Sequence, residues 1–160
     1  MSGEESVLAA RIRTELSDLK EIVQRAERLL AKAEKRGDED YLDGVALNLH
    51  GFYTGAERIF EEIAREIDGS VPAGQEWHRD LLLQMSGKVD GKCPLVIGRR
   101  SRNCLDEYRG FRHVVSNVYT FNFRPSRLRE LVTDLPDCYA SLVEDLTSFC
   151  DFLEQLGSDQ

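Results

Sequence analysis

Apolar residues recur at steps of three and four over two long stretches of this chain, and that period leaves little choice of fold. Over residues 5–36 they stand at Leu8, Ile12, Leu16, Leu19, Val23, Ala26, Leu30 and Ala33. A helix with 3.6 residues per turn gathers these positions on one side, whereas a strand would scatter them over both faces. The second stretch ends near residue 68 and carries Leu42, Val45, Leu49, Phe52, Ala56, Ile59, Ile63 and Ile67 in the same rhythm. Between them "KRGDED" offers Gly37 as a helix stop and Asp38 or Asp40 as a cap. Gly44, Gly51 and Gly55 each cost the second helix about 1 kcal/mol relative to alanine. Their small size invites close approach of a neighbouring helix.

Downstream, "DGSVPAGQ" reads as a loop and "EWHRDLLLQMS" as a short third helix. "GKVDGKCPLVIG" is a second loop, with a turn of extended chain expected at 95–97. A fourth helix is expected over 101–122, until Pro125 disfavours helix at the residue before it. The last helix spans 126–156, with Leu128, Leu131, Leu135, Tyr139, Leu142, Leu146, Phe149 and Leu153 inward and a kink expected at Pro136. The expected fold is all-α: an up-and-down bundle of four main helices plus a short helix, forming one domain over 1–160.

No apolar run approaches the roughly 18 residues of a membrane span. The start, "MSGEESVLAAR", is acidic and polar, unlike a secretory leader. A cytoplasmic protein is expected. Cys93, Cys104, Cys138 and Cys150 form no C-x-x-C pair and have no histidine at zinc spacing. Reduced structural thiols are therefore expected, with no metal and no cofactor. The net charge of −8 opposes nucleic-acid binding, but it is unevenly spread. Between residues 99 and 129 stand eight arginines against only Asp106 and Glu107. The guanidinium fork matches phosphate, so this basic island suits RNA or an acidic partner.

The fourth helix carries "FRHVVSNVYTF", residues 111–121. On a wheel of about 100° per residue, Arg109, Arg112, His113, Ser116, Asn117 and Tyr119 form one strip. Phe111, Val114, Val115, Val118 and Phe121 occupy the opposite arc, read as the core face. The strip is either a solvated polar face or a site that holds phosphate.

"RHVVSNVY" resembles the R-x4-H-x-Y signature of HepT toxins, helical ribonucleases of the HEPN superfamily. "YRGFRHVV" and "NLHGFYTGAERIFEEIAREIDG…EWHRDLL" are similar to the same branch, and the likeness extends over about residues 5–156. The resemblance implies a homodimer whose two motif helices form a cleft that cuts RNA without metal. It also implies a toxin–antitoxin pair, in which a minimal nucleotidyltransferase antitoxin adenylylates the motif tyrosine. Arg112 matches the motif arginine and Tyr119 the motif tyrosine. Added nucleotide phosphate at Tyr119 would place negative charge and bulk beside Arg112.

The motif histidine is replaced here by Asn117. An imidazole moves a proton near neutral pH and an amide does not. The adjacent His113 is then the candidate acid or base, Asn117 a group that orients oxygen, and Arg109 and Ser116 contacts for flanking phosphates. The alternative is a weakened or inactive HEPN module that binds RNA or a partner protein without cutting. His50 and Tyr53 read as packed residues of the second helix, Trp77 as core or interface, and His78 as surface. No phosphate-binding Gly-rich loop, H-E-x-x-H or G-x-S-x-G occurs.

Overall fold

The computed structural model describes residues 2–87, 95–117 and 123–158. They form α1 (Ser2–Arg36), α2 (Tyr41–Ile63), α3 (Trp77–Ser86), α4 (Arg99–Asn117) and α5 (Pro125–Ser158), with no strand among the described residues. The fold is the all-α bundle expected.

Each apolar stripe goes where its period sends it. Leu8, Ile12, Leu16, Leu19 and Val23 of α1 are buried, as are Leu42, Val45, Leu49, Phe52, Ala56, Ile59 and Ile63 of α2. So are Leu128, Leu131, Leu135, Leu142, Leu146, Phe149 and Leu153 of α5. Helix α1 stops at Gly37, whose φ of 61° is left-handed, and the Asp38 N–H donates to the Ala33 carbonyl at 3.2 Å. That pair of features is a Schellman stop, open to glycine because it has no Cβ to clash. The Asp38 carboxylate then accepts the Asp40 N–H at 2.9 Å, and α2 begins at Tyr41.

Small residues set the distance between α1 and α2. A Cβ at Gly55 would lie 2.5 Å from Leu19 Cδ2, and one at Gly44 would lie 3.0 Å from Leu29 Cδ1. These contacts run in opposite chain directions, so α1 and α2 are antiparallel. Helix α5 lies antiparallel to α1: Tyr139 Oη donates to the Leu16 carbonyl at 2.7 Å, and Arg13 pairs with Asp151 and Glu154.

Several expected boundaries shift. The α-helical part of α2 ends at Ile63 and continues as one wide π-type turn, Ala64–Asp68, stopped by left-handed Gly69. Helix α5 passes Pro136 as a single element, and Pro125 occupies its first position, where a missing N–H costs nothing. The chain at 95–97 is no strand; the Val96 and Ile97 N–H groups both donate to the Met85 carbonyl at 3.1 Å. Helix α4 is described to Asn117, and the rest of its expected span lies outside the described residues.

The cysteine reading needs correction. Cys104 of α4 and Cys138 of α5 form a disulfide, with Cα atoms 5.8 Å apart. Spacing gave no sign of it, because partners 34 residues apart meet only once α4 and α5 pair. Cys150 is free and buried, and burial pushes its thiol pKa up to about 11. Among the described residues, no helix is long and apolar enough to cross a membrane.

Candidate functional site

Helix α4 is fixed at its start by a carboxylate from α5. Asp145 Oδ2 accepts the Gly98 N–H at 2.9 Å and the Ser101 hydroxyl at 2.6 Å. Ser101 Oγ, fully buried, also lies 2.7 Å from Ser141 Oγ. An anion at a helix N-terminus meets unsatisfied N–H groups and the positive end of the helix dipole. Two turns further on, the buried Tyr108 hydroxyl donates to the Leu131 carbonyl at 2.6 Å, and its ring meets Phe52 edge-on at 5.3 Å.

These anchors set the rotation of α4, and that rotation differs from the wheel drawn on the sequence. The inward positions are Ser101, Leu105 and Tyr108. Continuing that row by three and four residues leads to Arg112 and Val115, which are half-buried. Val114, expected in the core, is 41% exposed, while Phe111 is buried at the edge of the inward face. Arg112 thus stands at the end of the core row, with its Nε enclosed. Val114 departs from the wheel and Val115 packs against the core, while Val118 and Phe121, also expected inward, lie outside the described residues.

Across from this row, α2 presents His50, Tyr53 and Glu57. The two helices run antiparallel, so Phe52 meets Tyr108 and His50 comes under the field of Arg112. His50 is half-buried, and its Nδ1 is enclosed with no hydrogen-bond partner among the described residues. Burial lowers the His50 pKa below its ordinary value, and the Arg112 guanidinium lowers it further; Glu57 acts in the opposite sense. Both lowering effects disfavour imidazolium, by desolvation and by like charge. The Tyr53 hydroxyl is held far above its ordinary pKa, first by burial and then by the Glu57 carboxylate.

Glu57 is itself buried, with 5% of its surface exposed. Its partner is His78 Nδ1 at 2.6 Å, from α3. His78, read from sequence as surface, has only 19% of its side chain exposed, and its ring lies against Trp77 with centroids 3.7 Å apart. A carboxylate this deep requires a partner, and α3 supplies it.

Of the other expected site residues, Arg109 is half-buried and donates from Nε to Asp106 Oδ1 at 2.7 Å. One of the two acids in the arginine island is thus paired with a residue of the strip. His113 is on α4, on the exposed side. Ser116 and Asn117 are in the last turn of α4, and Tyr119 lies outside the described residues. Within the arginine island, Arg127 pairs with Glu107 and Glu130, and Arg129 with Glu34. Arg99, Arg100, Arg102 and Arg124 have no ion-pair partner among the described residues.

Reasoning on α4 alone missed His50, Glu57 and His78. The signal for the first two was present: His50, Tyr53 and Glu57 stand at i, i+3 and i+7, one side of one helix.

The span that joins these helices, residues 44–153, matches the family model of HepT-like proteins. The chain belongs to the HepT-like family. It is accordingly a HepT-like member of the HEPN superfamily, and membership suggests a HEPN-type toxin–antitoxin module. The match takes in α2 from Gly44, all of α3 and α4, and α5 to Leu153. In this HepT-like protein the matched span contains Arg112, Asn117 and Tyr119 together with His50, Glu57 and His78. No curated protein and no solved structure matches the chain.

Proposed function

We propose that this HepT-like protein is the toxin of a toxin–antitoxin pair, a metal-independent endoribonuclease whose site forms where two copies meet. The observation that carries this reading is the position of Arg112 at the end of the α4 core row. A half-buried guanidinium with its Nε enclosed keeps its fork better oriented for a phosphate than one free in solvent. Its fixed charge would stabilise the extra negative charge that gathers as phosphorus becomes five-coordinate. Arg109 and Ser116 would hold flanking phosphates, and Asn117 would orient the 2′-hydroxyl or a phosphate oxygen. His113, on the exposed side, would act as acid or base across the dimer. A minimal-nucleotidyltransferase antitoxin would silence the site by adenylylating Tyr119.

The test is incubation of the purified protein with RNA in EDTA. Cleavage leaving 2′,3′-cyclic phosphate ends, abolished by Arg112→Ala, is the expected result. An absence of cleavage at high protein concentration removes the enzymatic reading.

Asn117 favours a second reading, a HEPN module that binds RNA or a partner protein without cutting. Losing a general base typically costs about 10²–10⁴-fold in rate. RNA affinity that falls with salt, without any product, would select this reading.

A further inference from the structure

The family motif places its imidazole at the position of Asn117, so the reaction proposed above lacks an obvious proton acceptor within one subunit. Resting on that reading, we propose that His50 of α2 supplies the missing imidazole and takes the proton from the attacking 2′-hydroxyl. Three observations lead there. Helices α2 and α4 pack antiparallel, with the Phe52 and Tyr108 ring centroids 5.3 Å apart, and toward the same end of that contact His50 Nδ1 and Arg112 Nε are both enclosed. His50 Nδ1 is enclosed, with no hydrogen-bond partner among the described residues, while buried polar atoms are nearly always partnered. The other two histidines are placed differently: His78 is committed to Glu57, and His113 is on the exposed side of α4.

The charged groups that act on His50 are Arg112 from α4 and Glu57 from its own helix. Burial and Arg112 favour the neutral ring, the form a base requires. The step balances simply. His50 Nε2, the ring nitrogen other than the enclosed Nδ1, takes the 2′-hydroxyl proton, the freed oxygen bonds to phosphorus, and the phosphorus–5′-oxygen bond breaks. With His50 as the base, His113 is left the acid's role: the leaving 5′-oxygen takes a proton from it, His113 regains one from water, and the His50 imidazolium returns its own proton to solvent. Arg112 thereby serves twice, gripping the phosphate and keeping the base unprotonated.

The experiment compares the wild type, His50→Gln, Arg112→Ala and the double variant His50→Gln, Asn117→His. Single-turnover RNA cleavage in EDTA is followed from pH 5 to 8, and RNA affinity is measured alongside. The wild type is expected to show an acid limb with its midpoint below about 6.5, the ordinary histidine value. His50→Gln should lose about 100- to 10,000-fold in rate and the acid limb, while binding RNA as before. The double variant should recover rate, because an imidazole again stands in the motif. Wild-type rate and pH profile in His50→Gln would overturn the assignment and leave the ribonuclease reading intact. RNA left uncut by the wild type would instead overturn the ribonuclease reading, and this assignment with it.

Discussion

His78 Nδ1 of α3 lies 2.6 Å from the Glu57 carboxylate of α2, and the carboxylate is almost wholly enclosed. This contact ties the short α3 to the bundle on the side where α2 faces α4. Removing one partner strands the other in a poorly solvated place. His78→Ala is expected to destabilise the fold by about 3 kcal/mol, because breaking a buried pair costs more than the pair itself contributes. Replacing both residues by leucine should recover much of the loss. Urea titration of the single and double variants checks both outcomes.

The disulfide between Cys104 and Cys138 closes a loop of 34 residues. Constraining an unfolded loop of that length is worth roughly 3–4 kcal/mol. Cys104→Ser, or reduction, should lower the melting temperature accordingly, as read by calorimetry with and without reductant. Cys150 should resist thiol reagents in the folded chain, since its pKa of about 11 leaves almost no thiolate at neutral pH.

Two glycines on α2 should respond differently to alanine. At Gly51 the new Cβ meets only Ile22 Cδ1 at an ordinary 3.9 Å, so Gly51→Ala should stabilise by about 1 kcal/mol. At Gly55 the Leu19 methyl stands 2.5 Å away and must move. Gly55→Ala should therefore gain less than Gly51→Ala or turn unfavourable. Thermal melts of the two variants side by side decide it.

Because the His50 pKa is lowered on folding, the unfolded chain binds more protons than the native one below the ordinary value of 6.5. The contribution of His50 to stability is fully present above that value and declines as pH falls through 6.5 toward the native pKa. Wild type should thus lose stability between pH 7 and 5 more steeply than His50→Gln. Arg112→Ala should reduce the slope as well, because one cause of the lowered pKa is gone. Denaturant midpoints across that pH range measure the slopes, and a proton NMR titration should find the His50 ring midpoint rising in Arg112→Ala.

The sequence by itself determined the helices, the inward faces of α1, α2 and α5, and the family. Stripes such as Leu128, Leu131 and Leu135 are local patterns, and burying them needs only the period of the helix. Gly37 as a stop was equally legible, because a left-handed residue is a local demand. Arg112, Asn117 and Tyr119 came from the resemblance to the family signature, which needs no coordinates.

Only the tertiary structure decided which way α4 is turned and what it meets. Asp145 and Leu131 of α5 and Phe52 of α2 set that rotation, and it brought Arg112 inward and left Val114 outside. The Cys104–Cys138 bond, the Glu57–His78 pair and the packing of Phe52 on Tyr108 have the same origin. Each joins residues far apart in the chain, and a wheel drawn on one helix has no term for a side chain supplied by another.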